Sequence, residues 1–159
     1  AELELDLAHS LLSIYYTISA DAPQASFMKQ LEHPKTSSLL DTMVTPKQLP
    51  SWLTREDLTY YVEQYRTSGF RGGLNWYRNI PTNNSITPEL ESKRFTQPAA
   101  FVAGVADDVL LYDPNWRATF PKAFDDLRFI ELVEGAGHWV QVEKPKETTA
   151  LILRFLQGL

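Results

Sequence analysis

His138 sits in Glu134-Gly135-Ala136-Gly137-His138-Trp139, directly after Arg128 to Val133, a segment that reads as a strand. Glycines on the N-terminal side of the histidine let the backbone turn sharply and present the ring at a strand's C-terminal edge. Catalytic and ligand groups of open α/β sheets gather at that edge. A second segment ends in a matching way. Ala99-Ala100-Phe101-Val102-Ala103-Gly104 has the compact apolar character of a buried strand, and Val105-Ala106-Asp107-Asp108 delivers two carboxylates just beyond it. A carboxylate so placed can hold an imidazole in one tautomer and stabilise its charged form, as the acid of a nucleophile–His–acid triad does. Either feature alone is common, since acidic turns follow many strands and a loop histidine can simply stand beside a packing tryptophan. Asp on one strand end and Gly-His on the next is the more specific signal. His9, on an N-terminal helix, and His33, in a polar stretch, read as solvated or structural.

The elements that must position these groups can be read from period and punctuation. Residues 1 to about 16 place Leu3, Leu7, Leu11, Ile14 and Tyr15 on one helical face, with Glu2, Glu4 and Asp6 at the dipole's positive end. From Thr17 to Pro50 the pattern dissolves under four prolines, the mark of a functional excursion or a mobile segment. Thr54-Arg55-Glu56-Asp57 resembles a capping box with Asp in place of Glu, and Leu58, Tyr61, Val62 and Tyr65 follow at helical spacing up to Gly69. A second short helix is expected from Gly73 to Ile80, stopping before Pro81, with a polar connector over 81–98. Between the two strands, Leu110 to Phe124 suits a crossover helix bent at Pro121. Pro145 suits the first turn of a last helix whose apolar face is Leu151, Ile152, Phe155 and Leu156. Two buried strands are too few for a stable parallel sheet, so the segment 99–159 calls for more sheet than it contains.

Composition bounds the class. The chain has 159 residues, 43% hydrophobic and 22% charged, which suits one globular domain. No apolar run approaches the roughly 20 residues of a membrane span. A net charge of −5, without any Lys/Arg stripe, argues against nucleic acid as a partner. Cysteine is absent, which removes disulfides, a thiolate nucleophile and cysteine metal sites, and suits a reducing, cytoplasmic setting. The opening Ala1-Glu2-Leu3-Glu4 has neither an initiator Met nor a signal-peptide pattern and reads as a cut within a longer polypeptide.

Taken together, Phe101-Val102-Ala103-Gly104 with Asp107, and Glu134 to Trp139 with Gln141, Glu143 and Pro145, are similar to the closing strands of α/β-hydrolases. The Trp after His and the Gln-x-Glu-x-Pro tail resemble the epoxide hydrolases. The likeness runs upstream through Leu49-Pro50-Ser51-Trp52-Leu53-Thr54 and Gly72-Gly73-Leu74-Asn75-Trp76-Tyr77-Arg78-Asn79, which in that family belong to the helical lid. Ala1-Glu2-Leu3-Glu4 resembles the opening of its first lid helix. The match is weakest between Ser19 and Gln48.

The resemblance implies an α/β fold of the α/β-hydrolase type, here only the helical lid (1–95) and the C-terminal part of the core (96–159), incomplete without an N-terminal half. It implies that His138 is the water-activating base and Asp107 its acid, and that Tyr77 is one of two lid tyrosines bonding the epoxide oxygen. Asp108 stands where the family commonly has proline, so two adjacent carboxylates compete for the histidine, and the Gly-x-x-Asp spacing favours Asp107. Trp76 and Trp139 would wall the pocket, although plain core packing suits them equally. The family's aspartate nucleophile, its first oxyanion segment and the other tyrosine would lie upstream of Ala1. No cofactor and no metal are implied. The partners are a small epoxide and the N-terminal half, with a homo-oligomer left open. Three other readings share these residues: a dehalogenase, a serine esterase, and a non-catalytic interaction module derived from a hydrolase. Asn75-Trp76-Tyr77 favours an epoxide, because a halide leaves without a proton donor.

Overall fold

The computed structural model describes residues 2–23, 26–30, 32–34 and 36–159. The expected first helix is split. Glu2–Glu4 forms a 3₁₀ turn, and α1 (Leu7–Thr17) begins only after Asp6, whose extended backbone and side chain cap the helix by accepting the His9 N–H at 3.0 Å. A short polar side chain that satisfies an orphan N–H restarts the helix where periodicity alone would run through. One face of α1 buries Leu11 beside Leu3 and Phe70, with Leu7, Ile14 and Tyr15 packed around them. The other buries Ser10, Ser13 and Thr17, small hydroxylated residues on which the chain near Val44 and Thr45 lies: Thr17 Oγ1 accepts the Val44 N–H at 2.9 Å.

Among its described residues, the stretch after α1 holds α2 (Ser26–Gln30) and a 3₁₀ turn at Leu40–Thr42. The Glu2 carboxylate anchors it, accepting from the Ser38 hydroxyl at 2.6 Å and the Leu40 N–H at 2.7 Å. Order resumes at α3 (Arg55–Ser68), where the capping box is complete: Asp57 N–H donates to Thr54 Oγ1, and Thr54 N–H to Asp57 Oδ2. Tyr61 of α3 stacks on Tyr15 of α1 at 5.1 Å.

Pro81 does not end the helical region. α4 (Arg71–Arg78) stops at Asn79, and α5 (Ile80–Ile86) starts with Pro81 in its first turn, where a missing N–H costs nothing. With the 3₁₀ turn at Pro88–Leu90, half of the expected connector is therefore helical.

β1 (Ala99–Gly104) and β2 (Leu127–Val133) pair in parallel, with Gly104 opposite Val133. They form a two-stranded sheet among the described residues. The crossover is not one helix. It breaks into a 3₁₀ turn at Asp108–Tyr112, the single turn α6 (Trp116–Thr119) and another 3₁₀ turn at Phe120–Ala123. The break falls at Asp113, which precedes Pro114 and is extended, as the proline ring requires. Its carboxylate caps the next turn, accepting from the Asn115 N–H at 2.8 Å and the Thr119 hydroxyl at 2.9 Å. After β2 come α7 (Val140–Glu143) and α8 (Pro145–Gln157). Of α8's expected apolar face, Leu151 and Phe155 are half-buried, whereas Ile152 and Leu156 are exposed. Among the described residues no helix is long and apolar enough to cross a membrane.

Candidate active site

The ends of β1 and β2 are stitched together beyond their last paired residues. Val105 N–H donates to the Val133 carbonyl and Ala106 N–H to the Ala136 carbonyl, both at 3.0 Å. Gly135, at φ +68°, supplies the left-handed turn that sends the chain back towards β1. Ala136 is fully buried, and His138 follows two residues later.

Asp107 meets His138 there. The histidine Nδ1 lies 3.2 Å from each oxygen of the Asp107 carboxylate. That carboxylate is itself fixed, because Oδ1 also accepts the Val109 N–H at 3.0 Å. Its side chain is 10% exposed and that of His138 is 36% exposed. The imidazole is therefore reachable while its acid is sheltered. Hydrogen bonding to Asp107 raises the His138 pKa above its ordinary value; partial burial opposes this, and the charges of Asp107 and Glu143 add to it. A neutral ring bonded to a carboxylate through Nδ1 carries its proton on that nitrogen, which leaves Nε2 as the basic one. Of the two adjacent carboxylates, Asp107 is the one that His138 meets; Asp108 is buried at the start of the 3₁₀ turn.

The histidine loop is held by partners that the sequence did not disclose. The N–H of His138 donates to the Ile18 carbonyl at 2.9 Å, just past the end of α1. Trp139 Nε1 donates to the Tyr15 carbonyl at 2.8 Å, and its ring packs against that of Tyr15 at 4.6 Å. The same indole meets the His138 ring edge to face, with centroids 5.0 Å apart. Glu143 is buried and accepts three backbone N–H groups, those of Ala20, Gly137 and Trp139. It was visible in the sequence as part of a Gln-x-Glu-x-Pro string, but the peptide groups it bonds come together only in the fold. Beside the pair, a cavity of about 310 Å³ is lined by Ser19, Ala20, Val105, Asp107 and Leu111.

Trp76 and Tyr77 lie apart from this centre on α4, 77% and 68% exposed. Among the described residues no hydrogen bond joins Tyr77 to the Asp107–His138 pair. His9 and His33 are exposed, and no described group of three acidic or histidine side chains is arranged to hold a metal ion.

No family model matches the chain. Epoxide hydrolase A of Mycobacterium tuberculosis is 36% identical over 159 residues, covering all of this chain and 48% of that protein. Bifunctional epoxide hydrolase 2 of Rattus norvegicus is 31% identical over 99% of this chain and 27% of its own length. Among solved structures, an epoxide hydrolase from an endophytic Streptomyces superposes with a TM-score of 0.90 at 30% identity, over 99% of this chain and 47% of that one. Epoxide Hydrolase A from Mycobacterium thermoresistibile gives 0.84 at 37% identity, over 100% and 48%. The chain thus spans about half the length of the first of these relatives and of both solved structures, and less of the bifunctional one. A His–Asp pair across two parallel strand ends, a helical region packed on the histidine loop, and this end-to-end likeness agree with one another: the chain has part of the α/β-hydrolase fold and is similar, over its whole length, to about half of these epoxide hydrolases.

Proposed function

We propose that this chain supplies the base, the orienting acid and the lid of an epoxide hydrolase that opens an epoxide to a vicinal diol. Residues 1–95 are the lid and residues 96–159 the C-terminal part of the catalytic core. An aspartate outside this chain, in an N-terminal half, attacks an epoxide carbon and forms an ester. The ring oxygen gains negative charge as it leaves, and Tyr77 donates a hydrogen bond or proton to it. His138, held by Asp107, then takes a proton from water through Nε2, and the resulting hydroxide cleaves the ester to diol and free aspartate. Trp76 and the edge of Trp139 wall the apolar side of the pocket. The sequence needs neither cofactor nor metal, because nucleophile, base and proton donor are all side chains.

The observation that carries this reading is the approach of His138 Nδ1 to both oxygens of Asp107, which leaves Nε2 basic and the ring partly open. The relatives' names supply the substrate class. The test uses the full-length protein with His138→Gln. Alkylation of the nucleophile should survive while ester hydrolysis fails, so intact-mass measurement after mixing with a styrene-oxide-like epoxide should show a persistent adduct. Normal turnover without an adduct would remove His138 from the mechanism.

A further inference from the structure

Three successive peptide N–H groups, those of Gly137, His138 and Trp139, each find a partner beyond the sheet's own ladder. The middle one goes to the Ile18 carbonyl. The outer two go to one side chain. Glu143 Oε2 accepts from Gly137 at 3.0 Å and Oε1 from Trp139 at 3.0 Å, so a single carboxylate brackets the catalytic histidine in the chain. Oε2 takes a second N–H, that of Ala20, at 2.8 Å. Ala20 belongs to the segment that leaves α1, whose Ile18 carbonyl already holds His138.

We infer that Glu143 is a positioning residue: its buried carboxylate sets His138 against Asp107 and latches the histidine loop to the segment that follows α1. This rests on the role proposed above for His138.

Two observations carry the argument. Glu143 is 9% exposed, and an ionised side chain so buried needs several donors, here three peptide groups. Contact at the junction is also backbone to backbone. A Cβ on Gly137 would stand 2.6 Å from Ala20 N and from the Ser19 carbonyl carbon, so only glycine lets the two chains approach this closely. The bond pattern extends the capping-box idea, in which a helix's own acidic side chain reaches back to its first free N–H groups. Here it reaches past the helix start to a second element. Asp107, from the end of β1, and Glu143, from α7, are the charges acting on the imidazole; α1 and its exit bring the ring of Tyr15 and the carbonyl of Ile18 to this loop. Glu143 therefore acts on the base in two ways, by holding its backbone and by favouring its protonated form.

The test compares wild type with Glu143→Gln and Glu143→Asp in the full-length enzyme. Gln keeps the shape but loses the charge and one acceptor, and Asp keeps the charge but is one methylene short of Ala20. Single-turnover kinetics should show ester hydrolysis slowed about 10-fold in Glu143→Gln, short of the roughly 10²-fold cost of an ångström-scale misplacement. Alkylation should stay within about 2-fold, since the histidine takes no part in that step. NMR titration should move the His138 pKa down in Glu143→Gln and leave it near wild type in Glu143→Asp, which restores part of the hydrolysis rate. Amide exchange should quicken at Ala20, Gly137 and Trp139 in both variants. Equal losses in both chemical steps with an unmoved His138 titration would overturn the proposal and leave Glu143 a fold residue. So would wild-type rates and exchange. If the wild-type enzyme turned over no epoxide, the functional reading would fall; the titration and exchange results would still decide whether Glu143 holds the loop.

Discussion

The histidine loop and α4 carry the two groups assigned to opposite ends of the reaction, and they are built differently. Around His138 every peptide N–H from Gly137 to Trp139 has a partner, and the ring itself is held by Asp107. α4 begins at Phe70 without a side-chain cap, is secured through Phe70 and Leu74 to the cluster around Leu11, and holds Trp76 and Tyr77 mostly in solvent. The proposed base is thus set by polar bonds within this chain, while the setting of the proposed donor depends on what packs over that face of α4. A general base must hold its direction to about the length of a hydrogen bond, which polar bonds can enforce. A group on a lid must also move, and fewer bonds make that possible.

Removing the acid should break the rigid side most severely. Asp107→Asn in the full-length enzyme should slow ester hydrolysis by on the order of 10³- to 10⁴-fold, as loss of the orienting carboxylate does in triads. The pH dependence should move with it. Because Asp107 raises the His138 pKa, the neutral, basic ring accumulates only as pH climbs through that raised value, and the acid limb of wild-type hydrolysis should lie above the ordinary 6.5. In Asp107→Asn that limb should shift to lower pH. Stability runs the opposite way. The raised pKa contributes to folding fully below 6.5, and the contribution fades as pH rises through the folded-state value. A limb that stayed in place would mean that another group titrates.

On the looser side, Tyr77→Phe should slow alkylation by on the order of 10²-fold and leave thermal stability unchanged, since an exposed hydroxyl is all that is lost. An alkylation rate equal to wild type would return Tyr77 to packing and favour a leaving group, such as halide, that needs no donor. A smaller effect should come from Gly137→Ala, whose methyl meets the Ser19–Ala20 backbone. A cost of about 1–3 kcal/mol is expected for such overpacking, read as a lower denaturation midpoint. Smallest of all, Thr54→Ala should cost about 1 kcal/mol through the lost α3 cap, with neither chemical step altered. Were Thr54→Ala to change hydrolysis, the α3 cap would be coupled to the histidine loop through the Tyr61–Tyr15 stack and the Tyr15–Trp139 contact.

Local signals were legible and tertiary ones were not. The Thr54–Asp57 capping box and the two strands could be read because each rests on residues within a few positions of one another. The crossover departs from the single expected helix because, although its apolar spacing continues across Asp113-Pro114, ring sterics and a capping carboxylate decide the backbone there. Pro81 reads as a stop in the sequence, although the same residue serves equally well to start a helix. At the site, strand ends bearing Asp and Gly-His could be paired on paper. Glu143 could not be interpreted, since its partner Ala20 is 123 positions away and contributes only a peptide N–H. Peptide groups are the same at every residue, so no side-chain type marked that contact.

That anonymity shapes how the junction tolerates change. Ile18 and Tyr15 present carbonyls and Ala20 presents an N–H, so the chain path, rather than side-chain identity, is what the histidine loop reads. Substitutions at Ile18 or Ala20 that leave this path intact keep the junction's hydrogen bonds. A single inserted or deleted residue between Tyr15 and Ala20 would put all of them out of phase. In a substitution library, positions 18 and 20 should accept a range of residues; Tyr15, Thr17 and Ser19, whose side chains are packed, should accept few, and the segment almost no change in length.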